Sequence, residues 1–170
     1  MRLDEVLRRF PEIIFNVDAK SWQVMEPLVT TIRELGAQRQ VALASFSETR
    51  LKRMRVALPG VRSSLGTGAI AVLVLAAHLP RIIGPALARV LVPGPRQGVE
   101  AVQVPQRKGI VRVITPEFVR LCHARGLAVH AWTINREADM RALLEMRIDG
   151  IITDRPTLAQ RVIDDFWVGR

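Results

Sequence analysis

Short apolar runs alternate with amphipathic stretches along this chain, and the alternation repeats about six times. Residues 13–19 (IIFNVDA) read as a strand, and 21–35 read as a helix that Gly36 stops. Residues 41–45 (VALAS) form the next strand. A helix over 47–58 follows, ended by Pro59 and Gly60, and 61–65 make a short strand. Farther on, 99–104 (VEAVQV) is a strand closed by Pro105. Thr115 and Pro116 open a helix as N-cap and first-turn residue, and it runs to Arg125 before Gly126. Residues 127–133 (LAVHAWT) are a strand, and Asn135 is placed as the cap of a helix over 136–146. The last strand is 150–153, and the final helix starts at Asp154 or Arg155 with Pro156 in its first turn. Strand and helix in strict succession imply a parallel sheet with helices packed outside. An open doubly wound sheet and a barrel satisfy this pattern equally well.

The segment 69–94 departs from the alternation. Its uninterrupted apolar run, 69–77, is too short to span a bilayer, and Pro80, Arg81, Gly84 and Pro85 break the remainder. Two readings stand: an apolar helical pair packed on the domain, or a lid that meets an acyl chain or a membrane surface.

Length and composition narrow the classes. The 170 residues suit one domain, 1–170, with ample core material, but fall short of the ~250 typical of a complete eight-fold barrel. Lys and Arg number 25 against 16 acidic residues, a net charge of +9 that suits anionic partners. The densest basic stretch is Arg50, Lys52, Arg53, Arg55 and Arg62, and it reads as a solvated helix face and turn. No aromatic residue interleaves with it and Tyr is absent, so a stacking platform for nucleic acid is not expected. Cys122 stands alone, which excludes disulfide frameworks within the chain and reads as a buried thiol. The opening 1–10 is charged and amphipathic, unlike a signal peptide.

Asn16, Asp18 and Lys20 alternate and therefore share one face of their strand. At the C-terminal end of a parallel strand, Asp18 suits a hard divalent cation and Lys20 a phosphate oxygen, while a structural ion pair explains the same spacing. His130 and Trp132 share a face two residues apart, with Trp132 nearer the rim and His130 among core side chains. His78 and His123 lie in helical or apolar contexts and read as structural. Gly66-Thr67-Gly68 is too small a glycine signal for a nucleotide site.

Taken in order, these pieces resemble the glycerophosphodiester phosphodiesterases. Phe15-Asn16-Val17-Asp18-Ala19-Lys20 is similar to that family's Asn-Ile-Glu-Ile-Lys strand, with Leu3-Asp4-Glu5-Val6-Leu7 and Pro11 similar to the helix before it. Ser45-Phe46-Ser47 with Leu51, and Gln103-Val104-Pro105, resemble later strand ends. Trp132-Thr133-Ile134-Asn135 resembles Trp-Thr-Val-Asn, and Asp149-Gly150-Ile151-Ile152-Thr153-Asp154-Arg155-Pro156 resembles the closing motif. The resemblance implies a partial TIM-type (β/α) barrel of about six of eight βα units. It implies hydrolysis of glycerophosphodiesters to an alcohol and glycerol 3-phosphate, with action on lysophospholipids in some members. It further implies a divalent metal, Mg²⁺ or Ca²⁺, at Asp18, phosphate binding by Lys20, and a pocket wall at Trp132.

Three departures accompany the resemblance. Asp18 replaces a glutamate, Arg147 replaces a glycine, and the family's His-Arg-Gly, Pro-Glu-Asn-Thr, Glu-x-Asp and His-Asp motifs are not found. The expectation is an N-terminally incomplete domain whose metal needs ligands from the absent segment. A non-catalytic phosphate or lipid-headgroup module is the alternative. A cytoplasmic or peripheral-membrane location, membrane contact through 69–94, and self-association or low stability from incomplete barrel closure complete the expectations.

Overall fold

The computed structural model describes residues 2–80 and 82–168. The chain divides into two compact units, Met1–Ala71 with Pro93–Glu100, and Val72–Val92 with Ala101–Arg170.

The first unit begins with α1 (Leu3–Arg9), β1 (Phe15–Asp18), α2 (Met25–Glu34), β2 (Val41–Ala44), α3 (Glu48–Ala57) and β3 (Arg62–Ser64). β1 and β2 run parallel with Phe15 opposite Val41 and Asp18 opposite Ala44, and β2 pairs in parallel with β3. Leu28, Val29 and Ile32 fall on one face of α2 and close over Val41 and Leu43 of β2. Gly36, at φ 62°, supplies the left-handed residue that ends this helix run. Ser47 caps α3 by accepting from the Arg50 backbone N–H at 3.3 Å. Gly66 is dictated by close approach: a Cβ there would stand 2.4 Å from the Glu48 nitrogen, and its own N–H donates to the Glu48 carboxylate at 2.7 Å.

The next helix, α4 (Thr67–Ala77), passes from the first unit into the second, which continues with α5 (Ile83–Leu91). β4 (Val99–Pro105) starts in the first unit and ends in the second, where it pairs in parallel with β7 (Ala128–Trp132). Before β7 come a small antiparallel hairpin, β5 (Arg107–Lys108) and β6 (Val111–Arg112), and α6 (Pro116–Ala124). α7 (Glu137–Glu145), β8 (Gly150–Ile151) and α8 (Pro156–Val168) follow. Thr115 accepts from the Phe118 N–H at 3.2 Å, and Gly126 sits at φ 69°, so α6 starts and stops where its signals say.

The parallel strands hydrogen-bond in the order β1, β2, β3, β4, β7, β8, which is their order in the chain. A doubly wound sheet reverses its strand order at a switch point, whereas a barrel advances steadily in one direction. The fold is therefore the α/β, TIM-type arrangement, with six parallel strands and their helices among the described residues.

Several boundaries differ from the sequence reading. Ile13 and Ile14 stay exposed and outside β1, and residues 21–24 form turns before α2. The hairpin was unforeseen, because 107–112 carry no apolar alternation and the turn depends on Gly109 at φ 59°. Asn135 does not cap α7; the cap position is Arg136, and Asn135 bonds elsewhere. The basic stretch read as a solvated face also divides. Arg50 is buried and Arg55 half-buried, while Lys52, Arg53 and Arg62 are exposed. Arg55 turns inward because Glu48 accepts from one guanidinium nitrogen at 2.5 Å and Ser63 Oγ from another at 3.1 Å.

Candidate functional site

At the C-terminal end of β1, the Lys20 ammonium meets the Asp18 carboxylate at 2.5 Å. The two side chains share a face because Ala19 between them stays in register, its N–H donating to the Ala44 carbonyl at 2.8 Å and its methyl buried. Lys20 Nζ also lies 5.1 Å from the centre of the Phe46 ring, and that ring is 61% exposed.

Underneath lies a residue that pattern reading had placed in solvent. Arg50 reaches back from α3 and donates through Nη1 to the Ala19 carbonyl and to Ser45 Oγ, each at 2.8 Å. Ser45 Oγ itself donates to the Ala19 carbonyl at 2.8 Å. The Trp22 ring lies 5.0 Å from the Arg50 guanidinium and 4.9 Å from that of Arg53. Helical spacing gives no clue to this; Arg50 lies one turn after the N-cap, where its stem can bend toward the strand ends. One carboxylate among three cations leaves this strand end electropositive, and it suits an anion with several acceptor oxygens.

A hard divalent cation is a different demand. Mg²⁺ and Ca²⁺ take about six to eight oxygen ligands, commonly from several carboxylates. Among the described residues no group of three or more His, Cys, Asp or Glu side chains could hold a metal ion. Asp18, already paired with Lys20, does not make such a site with the described residues alone.

In the second unit Trp132 ends β7, half-buried, and its peptide bond to Thr133 is cis. Just beyond it, Asn135 ties two loops together. Its Oδ1 accepts from Thr153 Oγ1 and from the Asp154 N–H, both at 2.9 Å, and its Nδ2 donates to Asp154 Oδ2 at 2.8 Å. At the other end of these strands, Asp149 Oδ2 accepts from the Val129 N–H at 2.7 Å and lies 2.8 Å from His123 Nε2. His130 packs across Gly150, where a Cβ would stand 2.7 Å from His130 Cδ2. Burial lowers the His130 pKa below its ordinary 6.5, only partly opposed by the Asp149 charge, so the ring is held neutral. Cys122 is buried and its thiol is pushed up to about 12, which leaves it inert as a nucleophile. Arg147 takes a left-handed φ of 63°, so the turn keeps the glycine geometry without the glycine.

Of the residues singled out from sequence, the structure brings Asp18 and Lys20 together in the first unit, and Trp132 belongs to the second.

Fold and site together define an α/β protein of TIM-type strand order with an electropositive strand end. The model of the Glycerophosphoryl diester phosphodiesterase family matches residues 7–158, and the chain belongs to that family. A curated relative, probable glycerophosphodiester phosphodiesterase 2 of Mycobacterium tuberculosis, is 40% identical over 162 residues, 95% of this chain. The chain spans 59% of that relative's length. A glycerophosphodiester phosphodiesterase from Parabacteroides distasonis matches with a TM-score of 0.70 at 16% identity, over 95% of this chain and 62% of that one. A phosphodiesterase from Oleispira antarctica, solved in complex with its product sn-glycerol-3-phosphate, matches with a TM-score of 0.65 at 18% identity. That match covers 94% of this chain and 58% of the other. At such identities the structural matches speak for the fold.

Proposed function

We propose that this protein hydrolyses glycerophosphodiesters, releasing an alcohol and glycerol 3-phosphate. The observation that carries the reading is the Lys20 ammonium at the end of β1, held against Asp18 and backed by Arg50. Family membership, and a structural relative that binds sn-glycerol-3-phosphate, support the substrate class. In this reading Lys20 binds a non-bridging phosphoryl oxygen and offsets charge as water attacks phosphorus, while Asp18 fixes the ammonium in place. A divalent cation, Mg²⁺ or Ca²⁺, belongs to the proposal with Asp18 as one ligand. The described residues alone do not complete its coordination. A role in substrate binding is proposed for Trp132 on the family resemblance alone.

The test is release of glycerol 3-phosphate from glycerophosphocholine, and of the acylated glycerol phosphate from a lysophospholipid, each with Mg²⁺ or Ca²⁺. Lys20→Ala lowers kcat by about 10²–10³-fold, the effect of removing one oriented charge donor in a site of this kind. Lys20→Arg retains part of that activity, and Trp132→Ala acts mainly on KM. A second reading, a non-catalytic phosphate or lipid-headgroup module, is favoured by one fact: the described residues gather no metal-ligand cluster. Inorganic phosphate binding that Lys20→Ala abolishes, without turnover under any metal, would select the module.

A further inference from the structure

The helical pair of the second unit carries an apolar face that its own packing leaves uncovered. α5 packs through its small residues: Gly84 approaches α4 so closely that a Cβ would stand 2.1 Å from the Ala76 carbonyl oxygen, and Ala88 is fully buried. Ile83 and Val90, spaced i and i+7, lie on one arc turned away from these contacts, and Leu91, spaced i+7 from Gly84, extends the apolar surface at the helix end. All three apolar side chains are exposed, Val90 at 81%, and Ile82 just before the helix is 86% exposed. Arg89 flanks this arc and is exposed as well.

Charge identifies the occupant. Between Glu48 and Glu100 the chain has no Asp or Glu at all, so the apolar face is bordered by arginine with no acidic side chain nearby in sequence. An exposed apolar stripe flanked by an arginine, on a chain of net charge +9, suits a helix lying in the plane of an anionic bilayer. Spanning is excluded by length: α5 has nine residues, about 14 Å, against about 30 Å of hydrocarbon. Among the described residues no helix is long and apolar enough to cross a membrane. A second copy of this chain fits less well. A two-fold contact through α5 would set Arg89 against Arg89 on two bodies that each carry +9.

We propose that α5 docks this protein on an anionic lipid surface, with Ile82, Ile83, Val90 and Leu91 entering the interface and Arg89 meeting lipid phosphates. The inference is independent of the hydrolase reading, because it needs no turnover.

The 170-residue protein is sedimented with phosphatidylglycerol vesicles and, separately, with phosphatidylcholine vesicles. The expected result is binding to the anionic vesicles, weaker with added salt and at least tenfold weaker on the neutral ones. Val90→Glu, at a site too exposed to disturb folding, weakens binding at least tenfold with the thermal melt unchanged. Arg89→Glu weakens it and removes the salt dependence. As a second readout, a polarity-sensitive dye on Val90→Cys shifts to the blue when vesicles are added, since Cys122 is buried and escapes labelling. Failure to bind phosphatidylglycerol vesicles overturns the proposal, and so does binding that Val90→Glu leaves intact. A dimer that Val90→Glu dissociates, in a protein that ignores both vesicle types, overturns it in favour of a second copy.

Discussion

The two units secure the ends of their strands by different chemistry. In the first, a buried arginine reaches across from α3 and satisfies the Ala19 carbonyl and the Ser45 hydroxyl directly beneath an exposed ion pair. In the second, a neutral amide does the work at one end, Asn135 bridging to Thr153 and Asp154, and the Asp149 carboxylate closes the other. A buried cation whose hydrogen-bond acceptors are neutral is an expensive way to hold two loops, because the guanidinium gives up its hydration. A protein that keeps such a cation under Lys20 gains an electropositive strand end that is rigid before any anion arrives. The Asn135 knot ties its loops through an amide and the Asp154 carboxylate, so the charge it carries is negative. The comparison teaches that tying strand ends and setting the sign of the local potential are separable, and that only the first unit ties them with a buried cation.

Substitution separates these means most sharply at Arg50. Arg50→Ala should destabilise by about 2–4 kcal/mol, since it removes charge-assisted hydrogen bonds and opens a cavity under Trp22. Arg50→Met should recover the packing and leave the hydrogen-bond loss. Asn135→Ala, its counterpart, should cost about 1–3 kcal/mol. Urea denaturation of these three variants beside Arg53→Ala decides the matter. If Arg50→Ala costs no more than the exposed Arg53→Ala, the buried cation is not what holds the first unit's strand ends.

Inside the second unit, Gly150→Ala should cost about 1–3 kcal/mol, because the new methyl must displace the His130 ring. Adding His130→Ala should return most of the packing penalty, and a double-mutant cycle that shows simple additivity would break this account. A gain is expected at Arg147. Removing its Cβ at φ 63° relieves about 1 kcal/mol of backbone strain, partly offset by a freer unfolded chain, so Arg147→Gly should raise the Tm.

The smallest effect is on pH dependence. Because burial holds the His130 pKa below 6.5, the unfolded chain takes up a proton at a higher pH than the folded protein does. Stability is therefore full above the unfolded value and is lost as pH falls through the window beneath it. The Tm should drop as pH is lowered past about 6.5, and His130→Gln should flatten that drop. An unchanged slope in the variant would assign the effect to other groups.

The parallel strands, the helices and their alternation were legible because they rest on local signals: apolar runs, the Thr115 cap, and the stops at Gly36 and Gly126. The adjacency of Asp18 and Lys20 was legible for the same reason, since a strand places alternate residues on one face. Arg50 was not, because a basic residue in a basic helix looks solvated until a neighbouring strand supplies a carbonyl for it to reach. Asn135 misled in a related way: as an asparagine before a helix it had a local role available, and Asp154, nineteen residues later, took it instead.

By itself, then, the sequence determined the βα alternation and the shared face of Asp18 and Lys20, which depend on neighbours within a few residues, and the family, which rests on short motifs kept in order. Tertiary structure alone decided which arginines turn inward, why glycine is required at positions 66, 84 and 150, and which face of α5 stays bare. Strand order lay beyond periodicity too, since alternation fits a reversing sheet or an advancing one equally well, and only the family resemblance implied the advancing order. Each of these depends on groups far apart along the chain, whose meeting is set by the packing of whole elements and not by the propensity of any one segment.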